Sequence, residues 1–418
     1  MTRDRTSAQD GGPQLKRRRD GQQWILDLAV KQTGRVQNFA NDERDVPAEV
    51  KSYRMIPRTL YRDAKHAEAI ARAALAAGHR ETARSLFWRA AQTYREAQHA
   101  IFEDDQPEKR YFHGKLLECF DHVIALADYA IEKVEIPWEG RTISALLHLG
   151  GERGKAATIL LLPGMDMTKE AAPNPLDNAF AARGMHVLVI DGPGQGVSNL
   201  RKLWVTVDNY ERAAKAAVDY LTGRPEVDGE RIGVCGVSFG SHWGPRVAAM
   251  DRRVRALATT HAVYGPKVSI FEEASPRFKQ MFMYMAGMTD EDAFDAMAAQ
   301  MTTAGYGTDV TCPTLLVTGE YDPLSHLEEA VALFEELGGP KELWVFENEF
   351  HRVSGKAGIA GLEIYPFLAD WLRDALAGRF ARDHRKMVLV PQRSGAGPYS
   401  GAVPSVYVPD REQGDPGR

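Results

Sequence analysis

The sequence predicts an α/β protein built on an eight-stranded, mostly parallel sheet, preceded by a helical N-terminal domain. Three observations carry this. From about Tyr61 to Ala130, alanines and large apolar residues recur three and four positions apart, as in "HAEAIARAALAAG" and "ARSLFWRAAQTYREAQHAIF", the spacing of a buried helix face. After Ile131 the pattern changes to short β-rich runs separated by turn chemistry. The later runs alternate with helical segments such as "YERAAKAAVDYLTG", which implies crossover connections and therefore parallel strands.

Gly78 separates the first two helices, and "KRYFHGKLLECFDHVIALADYAIE" reads as a third. One helical pair and a third helix do not make a repeat array. The strands are "EKVEIPW", "TISALLHLG", "ATILLLPG", "HVLVIDG", "RIGVCG", "VRALATTH", "TLLVTG" and "ELWVFE". The first two, joined through Glu139-Gly140-Arg141, read as a hairpin. Between the sixth and seventh strands lies an insertion, 262–310, carrying Met281, Met283, Met285, Met288, Met297 and Met301. Adaptable thioethers suit a pocket wall, and equally a helical core stripe. The expected organisation is a basic tail at 1–22, a helical domain at 23–130, a catalytic domain at 131–380 and an extended or disordered tail at 381–418.

Composition bounds the function. The 418 residues carry a formal net charge of -5, which gives nucleic acid or an acidic membrane surface no general attraction. The run Lys16-Arg17-Arg18-Arg19 sits in a polar start and reads as a solvated tail. No stretch approaches the ~18 apolar residues of a membrane span, and no signal-peptide core follows Met1, so a soluble cytoplasmic protein is expected. Cys119, Cys235 and Cys312 match no metal or redox spacing and read as buried or semi-buried thiols.

The chemistry centres on Gly236-Val237-Ser238-Phe239-Gly240. A strand precedes it and a plausible helix, "SHWGPRVAAM", follows, the setting in which a G-x-S-x-G serine sits on a sharp turn with its hydroxyl exposed. A serine needs a base, and the base an orienting acid. Asp322 in "LLVTGEYDPLS" and His351 in "LWVFENEFHRVSG" follow in that order, each just beyond a parallel strand, where such sheets place their sites. Glu320 is a rival acid, although the Tyr321-Asp322-Pro323 turn favours Asp322. His242 and His261 are rival bases, but His242 lies one helical turn beyond Ser238 and reads as a pocket-lining or core residue. Glu347 and Glu349 read as loop charges. Oxyanion donors are expected at the Phe239 and Met165 amides, with Gly164 allowing close approach. Asp166 either binds a polar substrate group or caps the next helix. "DGPGQG", Asp191 to Gly196, lacks the ending of a nucleotide motif and reads as a turn near the pocket floor.

Together, "LLPGMDMTKE", "DGPGQG", "GVSFGS", "GEYDPL" and the late histidine resemble the α/β-hydrolases with a helical N-terminal domain. That group includes 2,6-dihydroxypseudooxynicotine hydrolase, fungal polyketide-shortening hydrolases of melanin biosynthesis and the esterase-like fermentation-respiration switch protein. The resemblance covers roughly 61–376 and implies a Ser238-His351-Asp322 hydrolase without cofactor or metal, acting on an ester or on a carbon-carbon bond beside a ketone. It also implies an acidic residue after the sixth strand, for which Glu272 or Glu273 is the candidate; a solvated acidic pair is the alternative. The expected ligand is a small-molecule ketone or ester with a fairly large, apolar or aromatic acyl portion, with Gly164, Asp166, His242, Glu272 and Met283 as candidate pocket residues. Unpaired apolar surface expected on the helical domain would suit a homodimer. The Met-Asp of the oxyanion loop departs from the Gly-Leu common among relatives and bears on substrate shape.

Overall fold

The computed structural model describes residues 49–391, apart from 152, 153, 166, 354–358 and 360. The Lys16-Arg17-Arg18-Arg19 run, Asp166 and residues beyond 391 therefore lie outside the described residues. The helical domain consists of α1 (Ile56–Ala76), α2 (Arg80–His99) and α3 (Pro107–Leu126). Gly78 takes φ +80 in the α1–α2 turn, a conformation that favours glycine. Ala64, Ala67, Ala71 and Ala74 bury one face of α1, against which α2 sets Ala83, Phe87, Ala90, Ala91 and Tyr94. Small residues there let the two axes approach closely. At the centre, Glu68 accepts hydrogen bonds from Tyr94 (2.8 Å), Arg72 (2.7 Å) and Lys115 (2.7 Å), so one carboxylate joins all three helices. Burial opposes its charge, but the bonds from Lys115, Arg72 and Tyr94 hold its pKa below the ordinary value.

The third helix stops earlier than its periodicity suggests. Tyr129, just past its end, bonds His148 (3.1 Å) and accepts from Asn178 (3.0 Å), which ties the chain to the sheet before Ile131 begins a strand.

The strands are β1 (Ile131–Trp138), β2 (Arg141–His148), β3 (Ala156–Leu162), β4 (His186–Ile190), β5 (Val227–Val237), β6 (Val254–Thr260), β7 (Thr314–Gly319), β8 (Lys341–Phe346) and β9 (Arg385–Val390). Their order is β1-β2-β4-β3-β5-β6-β7-β8-β9. β1 and β2 form the antiparallel hairpin, with Trp138 opposite Arg141 and positive φ at both Glu139 and Gly140. β2 meets β4 antiparallel, and every pairing from β4 to β9 is parallel. The eight expected strands are present, and a ninth corrects the count. "RKMVLV", inside the stretch assigned to the tail, pairs along the whole of β8. Without it, the buried β8 would be an open apolar edge. β9 is a better edge because its burial alternates and it carries Arg385 and Lys386.

Alternate strand residues feed two cores. Val234, Leu257 and Leu316 point to one with α5 (Asn209–Thr222), α6 (Phe239–Met250) and α9 (Leu327–Glu336); Cys235, Ala258 and Val317 point to the other, with the N-terminal helices and α10 (Tyr365–Leu376). The helix α4 (Gly196–Leu200) follows β4. The methionine-rich insertion forms a π-helical turn, Ser269–Glu273, then α7 (Pro276–Ala286) and α8 (Glu291–Ala298). No helix among the described residues is long and apolar enough to cross a membrane.

Candidate active site

The end of β5 and the start of α6 make a turn too tight for an ordinary side chain. Ser238 takes φ 54, ψ -119, a strained geometry costing roughly 1–3 kcal/mol that the surrounding packing must sustain. Two glycines make the turn possible. A Cβ on Gly236 would run into the Gly240 carbonyl, and one on Gly240 into the Leu162 carbonyl of β3. The Ser238 amide donates to Thr260 O of β6 (2.9 Å), and Ser241 N returns to Ser238 O (2.7 Å). The backbone turn that carries the hydroxyl is thereby held from both sides.

Ser238 Oγ lies 2.9 Å from His351 Nε2, and His351 Nδ1 lies 2.9 Å from Asp322 Oδ2. Asp322 and His351 are both buried, and Leu324 N donates to the other carboxylate oxygen at 2.9 Å. The loops after β5, β7 and β8 thus converge on one hydrogen-bonded chain. The rival residues lie elsewhere. Glu320 accepts from Asn348 N (2.9 Å), bracing the loop that carries His351. His242 is fully buried against Phe239, and neither ring nitrogen has a hydrogen-bond partner. Burial, then the charges of Lys267 and Arg246, hold its pKa well below the ordinary value.

The loop after β3 crosses in front of the serine. A Cβ at Gly164 would stand 2.9 Å from Ser238 Cβ and 3.1 Å from Met167 Sδ, so only glycine lets this loop sit so close. The loop is pinned from beneath by "DGPGQG". Gln195 Nε2 donates to Gly164 O (2.7 Å) and Pro163 O (3.3 Å), while its Oε1 accepts from Gly192 N (3.1 Å) and the Tyr210 hydroxyl (2.8 Å). Asp191 accepts from Lys169 N (2.7 Å), Lys169 Nζ (2.9 Å) and Val197 N (2.9 Å), and Lys169 Nζ also meets Glu170 at 2.7 Å. Burial disfavours the ammonium, but Asp191 and Glu170 outweigh it and raise the Lys169 pKa above the ordinary value. The "T-K-E" and "D-G-P-G-Q-G" segments are therefore two halves of one buried bracket. Gln92 of α2 joins it through Glu170 O (2.8 Å).

A cavity of about 180 Å³ opens over Ser238 and His351. Gly164, Met165, Met167, Val237 and His261 line its floor, Phe278 and Met281 of α7 one wall, and Arg95 and Glu96 of α2 face them from the helical domain. Of the expected pocket residues, Gly164 belongs to this lining. His242 is in the core instead, because the helical direction of α6 turns it inward. Glu272 pairs with Lys279 (3.0 Å) and Glu273 with His326 (3.3 Å), neither lining the cavity. Met283, two residues beyond Met281, lines a separate groove of about 1010 Å³ between α7 and the helical domain. Sequence reading missed Gln195 and the paired Arg95 and Glu96. A glutamine in a glycine turn and charges on a helix carry no signal of their own; only the bracket and the docked helix give them meaning. The free cysteines Cys119 and Cys235 are buried and Cys312 half-buried.

A nucleophile elbow on a parallel sheet, with an acid and a histidine from later strand ends, defines the α/β-hydrolase class. The chain belongs to the FrsA-like esterase family (Esterase FrsA-like), which matches residues 40–339. It is 31% identical over 230 residues to the α/β-hydrolase GkaG of Penicillium citrinum, covering 52% of each chain. It is 26% identical over 307 residues to 2,6-dihydropseudooxynicotine hydrolase of Paenarthrobacter nicotinovorans, covering 72% of this chain and 79% of that one. Similarity to Esterase FrsA of Vibrio parahaemolyticus is 26% over 264 residues, 59% of this chain and 60% of the relative. The chain thus spans little more than half the length of some curated relatives. The crystal structure of 2,6-dihydroxy-pseudo-oxynicotine hydrolase superposes with a TM-score of 0.69 at 24% identity, covering 87% of this chain and 98% of that one, a likeness of fold.

Proposed function

We propose that this protein is a serine hydrolase that cleaves an ester, or a carbon-carbon bond beside a ketone, through an acyl-enzyme on Ser238. The observation that carries the reading is the chain Ser238 Oγ, His351 Nε2 and Nδ1, Asp322 Oδ2, each link 2.9 Å. Ser238 attacks the substrate carbonyl as His351 takes its proton, and Asp322 holds the imidazole in the tautomer that presents Nε2 as acceptor. The Phe239 and Met165 amides stabilise the oxyanion, Met165 being positioned by the Gln195 bracket beneath its loop. His351 then gives its proton to the leaving group, and water releases the acyl portion.

The curated relatives bear names of hydrolases, and one names a pseudooxynicotine compound as what it acts on; this supports a small-molecule carbonyl substrate. The cavity volume of about 180 Å³ is small against the ~300–1,000 Å³ of drug-sized sites, which supports a compact acyl portion in place of the fairly large one expected from the sequence. An acyltransferase would use the same acyl-enzyme with an alcohol or amine in place of water. The test is threefold. A fluorophosphonate probe should label the wild type and not Ser238→Ala. Turnover of esters and β-diketones should vanish in the same variant, and product masses should assign the bond broken. Full turnover in Ser238→Ala would overturn the reading.

A further inference from the structure

One cavity residue has no place in that mechanism. His261 follows the last residue of β6 and, although not glycine, takes φ 56, a left-handed conformation that is unfavourable for a side chain of this kind. Its ring stands edge-to-face against His351, centroids 5.7 Å apart, and lines the cavity with Ser238. Its Nδ1 is sealed from solvent with no hydrogen-bond partner, so no acceptor holds a proton there and the neutral ring carries its proton on Nε2. Nε2 is then the polar atom left to a molecule in the cavity. Burial, and next the neighbouring His351 and Arg352, keep the ring's pKa well below the ordinary value. A neutral ring is what this position requires, because His351 becomes cationic during acylation and a second cation beside it would oppose that step.

We propose that His261 is a specificity-determining residue that reads the second carbonyl oxygen of a 1,3-dicarbonyl substrate, donating a hydrogen bond from Nε2. The inference rests on the hydrolase reading and deepens it by naming the substrate class. The step balances without a co-reactant. The bond from Ser238 Oγ to the acyl carbon forms, and the bond from that carbon to the α-carbon breaks. The released electron pair spreads onto the enolate oxygen held by His261, and the serine proton passes through His351 to the α-carbon, giving a methyl or methylene ketone. Water later regenerates Ser238. A simple ester offers no oxygen at that place, so His261 would distinguish the two substrate classes.

The experiment separates recognition from chemistry by using Ser238→Ala throughout. Binding of heptane-3,5-dione and of heptan-3-one, which lacks the second oxygen, is compared by titration calorimetry. The diketone should bind at least about tenfold more tightly, the scale of one well-formed hydrogen bond in a confined site. Adding His261→Phe should bring the ratio to within about twofold, since the ring's shape stays and its donor goes. His261→Asn serves if the phenylalanine variant does not fold, because asparagine tolerates positive φ and its shorter amide does not reach the same point. It too should collapse the ratio. Equal binding with His261 in place, no diketone binding, or a tenfold preference surviving in either folded variant would overturn the proposal. The hydrolase reading fails differently, by retained turnover in Ser238→Ala, so the two failures are distinct.

Discussion

At the scale of single residues, the hydrogen-bonded chain makes unequal demands on its members. Asp322 is buried and does not line the cavity over Ser238. In the proposed mechanism it keeps His351 Nδ1 protonated and the ring aimed at Ser238, so Asp322→Asn should preserve the fold and lower kcat by about 10³–10⁴-fold with little change in KM. Steady-state kinetics on one ester check this. A matching loss in Glu320→Gln would instead make Glu320 the orienting acid, against its present bond to the Asn348 amide. Ser238, Asp322 and His351 were legible in sequence because each follows a strand with a recognisable apolar run and turn. His261 was legible only as a rival base. Its positive φ and its sealed Nδ1 depend on how β6 ends beside the His351 loop, which no local pattern encodes.

At the scale of elements, two contacts set the site's precision. Gly240 lets α6 lie against the end of β3, so Gly240→Ala should destabilise the protein by at least about 2 kcal/mol, because both the new methyl and the Leu162 carbonyl it meets are held by backbone. Urea denaturation monitored by tryptophan fluorescence measures it. Gln195 holds the loop after β3 through the Pro163 and Gly164 carbonyls, and Gln195→Leu strands buried polar groups on both sides, costing about 1–3 kcal/mol. If the loop is positioned as proposed, kcat should fall more than tenfold with KM nearly unchanged; a loss of stability with intact kcat would make the bracket merely structural. The N-terminal helices were legible because their periodicity is long and uninterrupted, and the eight strands because each is a short β-rich run bounded by turn residues. β9 was not, because six residues with alternating exposure and two cations resemble a polar tail until β8 is there to pair with. The bracket was equally hidden, since "TKE" and "DGPGQG" are some twenty residues apart and meet only when β3 and β4 lie side by side.

At the scale of the whole molecule, the two-sided core sets how the protein responds to acid. His113 in α3, His148 in β2 and His242 in α6 are all buried. Burial pushes His113 down to about 3, with Lys169 adding to the effect, and pushes His148 down to about 3 unaided. His242 is lowered well below its ordinary value. In the unfolded chain each returns to about 6.5. Between these limits the unfolded state binds more protons than the folded one, so stability must rise with pH across that window. The stability tied to neutral imidazole is complete above about pH 6.5 and is lost as pH falls toward 3, each histidine contributing a slope of about 1.4 kcal/mol per pH unit. His148 offers the cleanest check, because its shift has one cause and the Tyr129 hydroxyl keeps Asn178 as a partner when the ring is removed. His148→Leu should therefore reduce the slope of unfolding free energy between pH 6 and 4 by about 1.4 kcal/mol per unit, whatever it does to stability at neutral pH. Urea titrations at half-unit steps measure the slope. An unchanged slope would mean that the folded protein protonates His148 as readily as the unfolded chain does, and that the helical domain does not seal this side of the sheet from water.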